Sequence, residues 1–147
     1  MKTLVLFVFH EYNHRVEHFF KNSIFYDEEV DFMIISNNRD NIFEVPAYTN
    51  VFKMLRDNVG YDFGGWSDAL LNDQLYLKYE YFIFVNSSVI GPFIPSYYQE
   101  KWTTIYINGL QENIKLFGST INTEKDPAIK VIFNRIFFLW IKKHWNI

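Results

Sequence analysis

The sequence predicts an α/β protein built on a mostly parallel sheet with helices on both faces. Three observations lead there. Short apolar runs recur at Thr3–Phe9, Val30–Ser36 and 81–85 (YFIFV), as in strands covered on both sides. Segments with apolar residues at helical spacing alternate with these runs. Polar or glycine-rich stretches follow the strands, at the sheet edge where ligands bind in such folds.

Taken in order, the Thr3–Phe9 strand gives way at residues 10–13 to a helix whose apolar face is Val16, Phe19, Phe20 and Ile24. The Val30–Ser36 strand ends in the polar loop 37–41 (NNRDN). Pro46 punctuates the next connection, and Val51–Leu55 reads as a strand by its alternation. After the glycine-rich stretch, a helix is expected from near Trp66 to Lys78. The YFIFV strand then ends on Asn86-Ser87-Ser88. Gly91-Pro92 and Pro95 mark a turn. Trp102, Ile105, Tyr106 and Leu110 suggest a short helix, residues 114–119 a fifth strand, and Ala128 onward a last helix through Ile129, Ile132, Phe133, Ile136 and Trp140. The four loops at the predicted carboxyl rim are 10–13, 36–41, 56–66 and 86–91.

The 147 residues imply one domain, 1–147, and 49% hydrophobic residues suffice for its core. A net charge of −3 with no basic run argues against a nucleic-acid partner. The absence of cysteine excludes disulfides and thiolate chemistry. The opening MKTLVLFVF stops at His10-Glu11 without a small-residue cleavage site, so it reads as a buried strand rather than a signal peptide. No run reaches the roughly 18 apolar residues of a membrane span. The expected location is cytoplasmic, in a host cytoplasm or a virion if the source is viral.

The stretch 56–68, RDNVGYDFGGWSD, carries the strongest local signal. A Gly64-Gly65 pair opening a helix would leave backbone N–H groups bare, a seat for phosphate. Tyr61, Phe63 and Trp66 offer aromatic faces, and Asp62 suits a base edge, a ribose hydroxyl or a metal. The same residues would also serve a plain strand-to-helix turn, with Trp66 as a core anchor.

The segments NVGYDFGGW (58–66), YFIFVNSSVIGPFIP (81–95) and KLFGSTIN (115–122), with the opening FHEYN, resemble a group of glycosyltransferase-like proteins of algae, bacteria and large DNA viruses. That group is similar to rhamnan-synthesis polysaccharide enzymes. The resemblance covers roughly residues 1–122 and leaves 123–147 unmatched. It implies a Rossmann-like GT-A fold, whole or truncated to its donor half, that binds a nucleotide-sugar and transfers the sugar to a glycan or protein acceptor. It further implies a donor site drawn from His10, Glu11, Asn58, Gly60, Asp62, Phe63, Gly64, Gly65, Trp66, Asn86, Ser87 and Ser88, with no catalytic residue assigned. Asn86-Ser87-Ser88 stands where many GT-A enzymes carry Asp-x-Asp. Neutral amides and hydroxyls are poor ligands for hard cations. Any Mg or Mn would therefore be weakly bound, with Asp62 as the remaining carboxylate.

Three other readings compete. The protein is a donor-binding module without transfer, or a truncated relative. His10-Glu11-Tyr12-Asn13-His14 matches the zinc-hydrolase pattern H-E-x-x-H literally, but straddles a predicted strand end and helix start. The last helix, apolar nearly all round at 136–140 and followed by Lys142, Lys143 and His144, suits a subunit interface or a membrane surface as well as the protein's own sheet.

Overall fold

The computed structural model describes residues 2–88, 90–110 and 113–118, and the backbone of 138–141. Four strands, β1 (Thr3–Phe9), β2 (Val30–Ser36), β3 (Val51–Leu55) and β4 (Tyr81–Asn86), form the parallel part of the sheet. Two short strands, β5 (Leu116–Gly118) and β6 (Phe138–Ile141), extend it antiparallel beyond β4. The order is β3-β2-β1-β4-β6-β5. The chain steps outward from β1 through β2 to β3, then returns to the other side of β1. The junction between β1 and β4 is thus the point where the winding reverses, the place at the carboxyl ends where ligands bind in such sheets.

Alternation along β1 divides the core into two layers. Val5, Phe7 and Phe9 pack with Val16, Phe19 and Phe20 of helix α1 (His14–Asn22). Phe7 and Phe19 stack with ring centroids 4.0 Å apart. Leu4, Leu6 and Val8 pack on the other face with Trp66 and Ala69 of helix α2 (Tyr61–Leu71). Helix α3 (Trp102–Gly109) joins the α1 layer through Trp102, whose Nε1 donates to the Ser23 carbonyl at 2.8 Å. The crossover from β2 to β3 is irregular, but its Phe43 packs against Phe9 at 5.1 Å and fills the same layer.

Two expected helices differ. The second begins at Tyr61 rather than near Trp66 and ends at Leu71. A 3-10 segment, Asn72–Leu77, follows, with Asp73 and Gln74 in the left-handed region. Asn72 and Asp73 are poor helix formers, and Asp is among the residues that enter that region most readily. The last expected helix is corrected at 138–141, which form β6 against β4. A short apolar run fits a strand as well as a helix, and pairing with β4 decides it here. The remainder of that expected helix, with Lys142, Lys143 and His144, lies outside the described residues. So does the part of the family-like segment beyond Gly118.

At the opposite end of the sheet, buried Asp31 accepts a 2.6 Å bond from the Tyr79 hydroxyl and a 2.7 Å ion pair from Lys2. Burial, and next the hydrogen bond and charge of Asp31, hold the Tyr79 phenol above its ordinary pKa. Because the folded value is raised, this stabilisation is complete below the unfolded pKa of about 10 and is lost as pH climbs beyond it. Tyr79→Phe is expected to cost about 1–2 kcal/mol at neutral pH. It should also remove part of the alkaline decline seen in urea denaturation. Equal neutral stability with parallel alkaline profiles would contradict this.

Candidate functional site

The loops after β1, β2, β3 and β4 meet at the carboxyl rim through a connected set of hydrogen bonds. Ser87 N–H donates to the Val8 carbonyl at 3.1 Å, and Asn37 N–H to Phe9 at 2.8 Å. Asn41 Nδ2 donates to the His10 carbonyl at 2.7 Å and to Ser36 Oγ at 2.8 Å. His10 Nδ1 lies 3.1 Å from the Asn37 carbonyl. The first and second loops are therefore laced together from both sides.

The start of α2 is set by backbone conformation. Gly60, at φ 74°, precedes the helix and supplies no side-chain cap; Tyr61, at φ 52°, is also left-handed. A non-glycine residue there needs holding in place. Asn37 does so, donating from Nδ2 to the Tyr61 carbonyl at 2.9 Å. Gly64 N–H already bonds to the Gly60 carbonyl at 2.8 Å. The expectation that Gly64 and Gly65 open the helix and present bare N–H groups is corrected: both lie inside it. By helix geometry the groups without an intrahelical acceptor are those of Tyr61, Asp62 and Phe63. The glycines have a packing role instead. A Cβ on Gly65 would meet Val8 Cγ2 at 2.9 Å and Asn37 Oδ1 at 3.1 Å, so its absence lets α2 sit close on β1 and β2.

Arg56, absent from the sequence-predicted site, organises the loop after β3. It is buried, at 6% exposure. Its Nε donates to Asp68 at 2.7 Å, one terminal nitrogen to Asn37 Oδ1 at 2.6 Å and the other to the Val59 carbonyl at 2.7 Å. The planar guanidinium fork suits three partners in different directions. Asn37 thereby joins Arg56 to the start of α2. Both residues immediately follow strands, and that position was the available sequence signal.

Asp62, at the start of α2, meets Asn86, the last residue of β4. Asn86 Nδ2 donates to Asp62 Oδ2 at 2.9 Å, and its Oδ1 accepts from Ser88 N–H at 3.2 Å. Asn86 is buried and Asp62 half-buried. Both polar atoms of the amide are thus engaged within the protein, leaving Asp62 as the carboxylate at this position. Among the described residues no group of three His, Cys, Asp or Glu side chains is placed to hold a metal ion. The donor set at the end of β4 does not fit a tightly held divalent cation.

The other expected site residues fall into three groups. His10, Glu11, Asn58 and Ser88 are exposed on the rim loops, and Ser87 is half-buried beside them. Phe63 and Tyr61 stand open to solvent, at 71% and 75% exposure, next to Val59 at 70%. Trp66 differs. It is buried in the α2 layer, 5.3 Å from both Phe63 and Phe84 by ring centroids. The expectation that it offers a stacking face to a ligand is corrected: burying its large ring anchors the helix. H-E-x-x-H is also set aside as a helical zinc motif. Asn13 is the N-cap and His14 the first residue of α1, so His10 lies outside the helix and shares no face with His14.

Comparison with known proteins gives no match: no family model, no curated protein and no solved structure corresponds to the chain. Fold and site together define an α/β protein with hydrogen-bonded polar loops at the β1/β4 reversal. No helix among the described residues is long and apolar enough to cross a membrane.

Proposed function

We propose that the chain is a GT-A type, glycosyltransferase-like protein that binds a nucleotide-sugar at the β1/β4 junction and transfers its sugar to a hydroxyl of a glycan or protein acceptor. The observation that carries the reading is the Asp62–Asn86 contact, 2.9 Å long, which joins two of the family-like segments, 58–66 and 81–95, at the carboxyl rim. In this reading the second Asp62 oxygen accepts from a ribose hydroxyl or a base edge. Tyr61 and Phe63 supply exposed aromatic faces for the base or the sugar. The bond from the sugar anomeric carbon to the diphosphate breaks, a bond from that carbon to the acceptor oxygen forms, and the acceptor proton passes to the departing diphosphate or to water. Positioning and charge stabilisation supply the rate.

A second reading, donor binding without transfer, is favoured by one feature: the carboxylate at this position, Asp62, is already engaged by Asn86. Release of free nucleoside diphosphate from a bound donor separates the two.

A thermal-shift screen against nucleotides and nucleotide-sugars tests donor binding. A ligand that binds only the native state at 100 times its Kd adds about 2.7 kcal/mol of stability. At least one uridine or guanosine diphosphate sugar is expected to raise the melting temperature. No shift with any donor at millimolar concentration would count against the proposal.

A further inference from the structure

We propose that Arg15 neutralises the diphosphate of the bound donor, the part a divalent cation plays where the strand end carries carboxylates; this rests on the donor-binding reading above. The misfit of the Asn86-Ser87-Ser88 end to a metal leaves a diphosphate to be held beside the negative charge of Asp62. The start of α2 is a weak candidate for that task. Asp62 stands in its first turn and already complements the positive end of the helix.

Among the described residues, three arginines stand on the loops and helix starts of this rim. Arg39 is paired with Asp57 at 3.0 Å. Arg56 is buried and committed to Asp68, Asn37 and Val59. Arg15 is exposed and pairs with no carboxylate among the described residues.

Arg15 is also placed at the site. Its backbone is fixed in the first turn of α1, where its N–H donates to the Asn13 cap at 3.0 Å. One guanidinium nitrogen donates to the Ser88 carbonyl at 3.1 Å. Ser88 N–H bonds to Asn86, and Asn86 to Asp62. An unbroken chain of contacts therefore runs from Arg15 to the Asp62–Asn86 pair. Its remaining donors have no partner among the described residues, and a planar fork matches phosphate oxygens.

The test is calorimetric titration of the intact chain with UDP and with GDP, in chelator, for wild type, Arg15→Gln and Arg15→Lys. Circular-dichroism melts check that each variant is folded. Gln keeps a donor for the Ser88 carbonyl without the charge, whereas Lys keeps the charge. Wild type is expected to bind one diphosphate in chelator. Arg15→Gln should weaken it by roughly tenfold or more, and Arg15→Lys should recover much of that loss. Added salt should weaken wild type more steeply than Arg15→Gln.

Equal affinity of wild type and Arg15→Gln overturns the role of Arg15 while donor binding stands. So does wild-type binding that disappears in chelator. If wild type binds neither diphosphate with or without metal, both proposals fall.

Discussion

Arg56→Ala is expected to destabilise the protein by about 3 kcal/mol, near the cost of opening a buried, hydrogen-bonded charge cluster. The guanidinium is the common partner of Asn37, Val59 and Asp68. Removing it strands Asn37 Oδ1, an acceptor on a buried residue that also holds the Tyr61 carbonyl. Asp68 is half exposed and regains water, so most of the loss comes from Asn37 and from the loop through Val59. Arg56→Lys should recover little, since one ammonium cannot reach three divergent acceptors. Urea denaturation measures both. A loss below about 1 kcal/mol for the alanine variant would show that the cluster is dispensable.

Gly64→Ala is the second large effect, and its sign opposes helix propensity. Alanine in a helix interior is favoured over glycine by about 1 kcal/mol. Here the new Cβ would fall 1.9 Å from the Val59 carbonyl oxygen and 3.3 Å from the Arg56 guanidinium. The obstacle at 1.9 Å is backbone, so the loop between Arg56 and Gly60 must move. Its shift breaks the Arg56–Val59 bond. We expect a net destabilisation of about 2–3 kcal/mol, in the range of overpacking a tight site. The two substitutions act on one cluster, so the double variant should lose less than the sum. Unchanged or higher stability of Gly64→Ala would contradict the geometry.

The parallel core was legible because β1, β2 and β4 are buried on both faces and leave short, largely apolar runs. The shared rim of the polar loops was legible from chain order, since polar residues at strand ends can be located without knowing any contact. Four features were not. The start of α2 depends on left-handed Gly60 and Tyr61, and a glycine pair within a helix reads locally as a helix opening. The burial of Trp66 follows from where α2 lands on the sheet, which its residue type leaves open. The strand at 138–141 is specified by pairing with β4, far away in sequence. Arg56 and Asn37 were overlooked because a charged or polar residue after a strand usually faces water. Their burial arises only when the loops after β2 and β3 close on α2.

Calorimetric titration of nucleotide-sugars into wild type, Asp62→Ala and Asn86→Ala probes the β1/β4 rim most directly. If the donor sits at the β1/β4 junction, wild type binds a uridine or guanosine diphosphate sugar, and each variant weakens it by roughly tenfold or more, the value of one hydrogen bond to a charged group. The same affinity in all three proteins, with the variants folded, would place the donor elsewhere and remove the basis for a glycosyltransferase-like site.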